Sequence, residues 1–194
     1  MAGRRTAAGL VLAALALTAA GCGLGGTKTV TLHARTVTTT VTVTTTASTT
    51  SAKPCTGQQL SGTFVLVPGS AGAGQIEYAL TLTNTFQGAC YVRGIPKATL
   101  LGVSGAALPT HVTAAGGGGP TRVVLEPGAS AVAHARFSPD VPGQGDSQSG
   151  ACQPQAHTLQ VSPNGGGVTD AAVRPATSVC EQGTLNFETL GYAG

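Results

Sequence analysis

The placement of five cysteines constrains this chain more than any other feature. Cys22 follows directly on an apolar N-terminal stretch. Cys55, Cys90, Cys152 and Cys180 are spread through a later segment of short alternating stretches broken by Gly and Pro. An odd count suits a disulfide framework only if one sulfur is engaged elsewhere. Setting Cys22 aside leaves four, enough for two bridges in an oxidising compartment. Four cysteines allow three pairings, and spacing alone does not choose among them. The bridges matter because the core must be light. The chain has no Trp, three Tyr and four Phe, against 29 Gly. Two bridges closing loops of about 30 residues each add roughly 3 kcal/mol on loop-entropy grounds.

Three regions follow from composition: 1–21, 22–54 and 55–194. In the first, Arg4 and Arg5 precede the apolar run Leu10 to Ala20, and Ala19-Ala20-Gly21 places small residues before Cys22. The run is too short to span a bilayer as a helix and reads as a cleaved signal. The small residues followed at once by cysteine resemble the lipobox of bacterial lipoproteins. That resemblance implies cleavage between Gly21 and Cys22, a diacylglyceryl thioether on the Cys22 sulfur and acylation of the new amine. Two or three acyl chains anchor a protein stably where one does not. The implied address is the outer face of the cell membrane, with the membrane as partner through Cys22. An ordinary secretory signal is the alternative, with Cys22 merely the first mature cysteine.

The second region holds a Thr/Val run, TKTVTLHARTVTTTVTVTTTASTTSAK over 27–53. Alternating Thr and Val favour strand. With no large apolar residue and no turn signal, however, the run cannot offset its ordering entropy, and the expectation is a disordered tether. Fully stretched, some 30 residues reach roughly 100 Å. Exposed Thr/Val runs invite β-aggregation, which O-linked sugar on the threonines would suppress.

Beyond Pro54 the pattern is short strands and turns. Ile76, Tyr78, Leu80 and Leu82 alternate with polar or small residues, the clearest half-buried strand in the chain. Ala131, Ala133, Ala135 and Phe137 share one face of another. Further strands are expected at Phe64–Leu66, Cys90–Arg93, Ala98–Val103, Arg122–Leu125, Thr158–Ser162, Val168–Arg174 and Leu185–Leu190. Turns are expected at Pro68-Gly69, Ser104-Gly105, Glu126-Pro127-Gly128 and Pro163-Asn164-Gly165-Gly166. No window has helical periodicity. The fold class is all-β, an immunoglobulin-like antiparallel β-sandwich.

Specific segments recur in a familiar order. They are Leu80-Thr81-Leu82-Thr83-Asn84, Cys90-Tyr91-Val92-Arg93-Gly94-Ile95-Pro96, Val124 to Ala131 with its Glu-Pro-Gly turn, Leu159 to Pro163, and Val179-Cys180. Together with Cys55 and Cys152 they resemble the DUF4232 family, secreted and lipid-anchored proteins of high-GC Gram-positive bacteria. The family commonly has Tyr where this chain has Ile95. The resemblance implies fold and address and carries no active site. In immunoglobulin strand order, Cys55 and Cys90 fall at one end, Cys152 and Cys180 at the other. That favours Cys55–Cys90 with Cys152–Cys180 and leaves Cys55–Cys180 with Cys90–Cys152 open.

The net charge of +3 misleads. Residues 55–194 keep Arg93, Lys97, Arg122, Arg136 and Arg174 against seven acidic residues, a net of −2. Scattered along the chain, these five form no basic cluster, and there is no aromatic ladder, so no nucleic-acid partner is expected. His33, His111, His134 and His157 lack ligand spacing, so no metal or cofactor is expected; they read as surface or edge residues, with His134 outward beside Arg136. Gly102-Val103-Ser104-Gly105-Ala106 lacks the last glycine of a nucleophile elbow, and Gly116 to Gly119 lacks the Lys-Ser/Thr of a phosphate loop. The expected function is a non-catalytic binding or structural module outside the membrane, meeting a cell-wall glycan or envelope protein. The alternatives are an envelope hydrolase assembled only by the fold and a small-ligand or metal carrier.

Overall fold

The computed structural model describes residues 51–116, 119 and 121–193. Cys22, the leader and all but the last residues of the expected stalk lie outside the described residues. Almost every regular element is a strand: β1 Lys53–Pro54, β2 Leu60–Leu66, β3 Ile76–Asn84, β4 Cys90–Arg93, β5 Lys97–Leu101, β6 His111–Ala114, β7 Arg122–Leu125, β8 Ser130–Phe137, β9 Ala156–Ser162, β10 Thr169–Thr177, β11 Thr184–Phe187 and β12 Gly191–Tyr192.

Nine strands form one sheet in the order β5-β9-β10-β2-β3-β8-β11-β6, with β12 alongside β8; three form a second, β1-β4-β7. The all-β sandwich expected from the sequence is what forms. Most ladders are antiparallel, but β1–β4, β2–β10 and β6–β11 run parallel. Those partners are far apart in sequence, so no hairpin dictates their direction.

The alternation reads through to packing. Tyr78, Leu80 and Leu82 of β3 and Ala131, Ala133, Ala135 and Phe137 of β8 are all buried. The alanines leave room for rings. Phe64 packs against Tyr78, Phe187 and Phe137 with centroids at 5.1, 6.0 and 6.4 Å, and Tyr78 meets Phe137 at 5.3 Å. The light core therefore concentrates its aromatic contacts in one cluster, a geometry that adds to burial itself. Leu82 of the large sheet and Val92, Val123 and Leu125 of the small one belong to the same apolar core.

Two details depart from the expected boundaries. Lys53 and Pro54, assigned to the stalk, pair with Cys90 and Tyr91, so strand pairing includes the two residues before Cys55. Cys55 is tied to Cys90, and that tie holds the residues before it against β4. The strand β6 has no sequence signal. It is an edge strand on which only Val112 packs against the core, so it has no alternation to read.

Candidate functional site

The registers place the starts of β2, β5, β8 and β10 and the ends of β3 and β9 at one end of the large sheet. At this end Cys55 and Cys90 form a disulfide, with Cα atoms 4.9 Å apart. The Cys55 N–H donates to the Tyr91 carbonyl at 2.8 Å, and the Gly165 N–H donates to the Cys55 carbonyl at 2.9 Å. A Cβ on Gly165 would lie 2.5 Å from that carbonyl oxygen, so the Pro163–Gly166 turn needs glycine there. Asn84, fully buried, organises the neighbouring turns. Its Nδ2 donates to the Gly88 and Leu125 carbonyls, both at 2.9 Å, and its Oδ1 accepts the Phe86 N–H at 3.0 Å.

Between the sheets here lies a cleft of about 40 Å³ whose walls include Val92, Arg93, Ile95, Lys97, Val161 and Asn164. One water needs roughly 10–15 Å³, so the cleft admits a few waters or one small ligand group. The Arg93 N–H donates to Asn164 Oδ1 at 3.1 Å, which joins the β4 end to the 163–166 turn. On the outer face of the small sheet Arg93 stands directly opposite Arg122. The Arg122 guanidinium lies 4.0 Å from the centroid of the Tyr91 ring, and its Nη2 donates to the Ala52 carbonyl at 2.6 Å. The fold thus sets Arg93 opposite Arg122, and Lys97 lines the same cleft as Arg93. Strand register produces this, and no spacing in the sequence announces it.

The opposite end is built otherwise. Cys152 and Cys180 form the second disulfide, with Cα atoms 5.5 Å apart. Cys180 opens a turn in which Glu181 (φ 53°), Gln182 (φ 56°) and Gly183 (φ 80°) are all left-handed, a conformation L side chains adopt reluctantly. Asp146 holds it. One carboxylate oxygen accepts the Gln182 N–H and the Gln153 Nε2–H, both at 2.8 Å; the other accepts the Gly143 N–H at 2.8 Å and the Glu181 N–H at 2.5 Å. The Gln153 side-chain bond, with the three backbone donors, outweighs desolvation and lowers the Asp146 pKa to about 2. Ligand atoms of Asp146, Cys152 and Cys180 lie within 4.8 Å of one another, close enough to have the outline of a metal triad. Both sulfurs are consumed by the bridge and the carboxylate by its four donors, so the trio is structural. An open depression nearby is lined by His111, Gln144, Glu181 and Thr184 among others.

The remaining candidates separate. His134 Nδ1 contacts Glu77 Oε1 at 2.5 Å, with Arg136 at 4.0 Å from the same carboxylate, on the outer face of β3 and β8. His134 faces outward beside Arg136 as expected; its partner Glu77 comes from the adjacent strand. His111 and His157 are exposed and apart from it. Ser104 is exposed in a hairpin turn closed by the Gly105 N–H to the Gly102 carbonyl. Gly117 and Gly118 of the glycine run, like His33, lie outside the described residues.

A sequence model of the family described as "Domain of unknown function (DUF4232)" matches residues 55–191. No curated protein matches the chain, and no solved structure does.

Proposed function

The chain belongs to the DUF4232 family through residues 55–191, and from that premise we propose that it is a lipid-anchored module of the cell envelope, held by Cys22, that binds or braces other envelope components without catalysing a reaction. The observation that carries this reading is the cleft at the Cys55–Cys90 end. Two of the segments that recur in the family, Cys90 to Pro96 and Leu159 to Pro163, meet there and form most of its wall. Packing alone explains buried Val92 and Val161. It does not explain exposed Ile95, Arg93 and Lys97 on the same rim. Apolar walls with a few convergent polar groups are the usual makings of a recognition site. Elsewhere the reactive groups are engaged: four cysteines in two bridges and Asp146 in backbone hydrogen bonds. Paired cysteines also fit an oxidising compartment outside the cytoplasm.

The test uses the chain made in its native host. Mass spectrometry of the mature N-terminus is expected to find Cys22 first and acylated. Proximity crosslinking from Ile95 is expected to capture a defined glycan or protein of the envelope. A free Cys22 thiol ends the anchor reading, and labels shared evenly among abundant neighbours end the binding reading.

A further inference from the structure

Like charges directly opposite on antiparallel strands are unfavourable. Arg93 and Arg122 occupy such a pair on β4 and β7. The domain has acidic residues to spare, yet among the described residues none lies within 4.0 Å of either arginine. Among the described residues, Glu77 with His134 and Arg136 makes the only ion-pair contacts within 4.0 Å. Both arginines are exposed. Arg122 is fixed by the Tyr91 ring and the Ala52 carbonyl, and the Arg93 backbone by Asn164. Two exposed arginines paired across adjacent strands, with no carboxylate of the described residues within 4.0 Å of either, are set for an anion from outside the chain.

We propose that Arg93 and Arg122 form a phosphoryl-binding site that engages a phosphodiester-bearing polymer of the envelope. The choice of phosphate follows from donor geometry. A carboxylate offers one planar edge, which a single guanidinium fork satisfies. Two arginines opposite each other on adjacent strands, with Cβ atoms about 5 Å apart, can bring two forks to a tetrahedral group whose oxygens point in several directions. The choice of a slender polymer follows from charge. Residues 55–194 carry a net of −2. That net charge repels a broad anionic surface such as a bilayer, whereas a narrow polymer strand can engage the arginine pair locally. Lys97 lines the same cleft as Arg93 and adds a further cation at this end. This inference rests on the binding reading above and names its ligand class.

The experiment measures binding of the full chain at low salt to four probes: poly(glycerol phosphate), poly-L-glutamate of matched charge, phosphatidylglycerol vesicles and neutral dextran. The expected order places poly(glycerol phosphate) first. R93Q/R122Q weakens that binding at least about tenfold, the scale of losing charge-assisted hydrogen bonds. R174Q, on β10 in register with Val65, leaves it within about twofold. R93K/R122K keeps the charge and loses the forks, so it falls between. Equal or tighter binding to poly-L-glutamate overturns the phosphate assignment, and tighter binding to vesicles overturns the polymer. No binding to any probe, or no loss in R93Q/R122Q, removes the site. If R93Q/R122Q also keeps the envelope crosslinks of the unmodified protein, the site fails while the binding module stands.

Discussion

At one end of the domain, Cys55 and Cys90 belong to the same apolar cluster as Leu82, Val92 and Leu125. At the other, Cys152 and Cys180 lie outside that cluster, beside the buried polar residues Ser138, Asp146 and Ser178. The bridges span similar loops, 35 and 28 residues, so loop entropy alone makes them nearly equal. What they fasten differs. Cys55–Cys90 ties two strands already packed on the core. Cys152–Cys180 ties the long 138–155 connection to a left-handed turn, where Asp146 supplies the bonds a strand ladder would otherwise give. One bridge reinforces packing. The other substitutes for it.

Breaking each bridge separates those roles. C55S/C90S loses a covalent link inside the cooperative core, and global stability is expected to fall by about 4 kcal/mol, read from urea melts. C152S/C180S is expected to cost about 2 kcal/mol or less by the same measurement, because its segment opens before the core does. Its signature is local: faster amide exchange in 139–155 and 180–183, with β3 and β8 unchanged. Equal losses with uniform exchange across the sheet would erase the distinction between the ends.

Legibility in the sequence follows the same divide. β3 and β8 are readable because each alternates against one core, and burial of Tyr78, Leu80, Leu82 and the alanine stripe is a direct image of that period. The turns at 104–105, 126–128 and 163–166 are readable because glycine and proline mark them. Features made by non-local register are not. Arg93 and Arg122 lie 29 positions apart and meet only because β4 and β7 pair. The parallel β2–β10 ladder has no local signature either. Asp146, in a polar run rich in Gly, Ser and Gln, has the look of an ordinary solvated loop residue, and its role depends on amides of a turn 35 residues away. Glu181 and Gln182 are poor choices for left-handed backbone on propensity, so tertiary hydrogen bonding overrides local preference there.

The smallest expected effect tests whether that override is electrostatic. The Asp146 carboxyl titrates near pH 2 in the fold, held down first by Gln153 and then by the three backbone amides. In the unfolded chain it titrates near the ordinary value of about 3.9. Between these values the unfolded chain binds the proton and the folded one does not, so the stabilisation from the carboxylate is complete above about pH 4 and drains away as pH falls toward 2. D146N removes the charge at every pH and puts an amide NH₂ where an acceptor is needed. Protection of the Gly143, Glu181 and Gln182 amides from exchange is therefore expected to be lower in D146N than in the unmodified chain at pH 6. That gap is expected to narrow as both proteins approach pH 2. Every other acid is common to the two proteins and cancels from the comparison. A gap that stays constant from pH 6 to pH 2 would mean that shape and neutral hydrogen bonding hold the turn. The ends of the domain would then differ in packing alone.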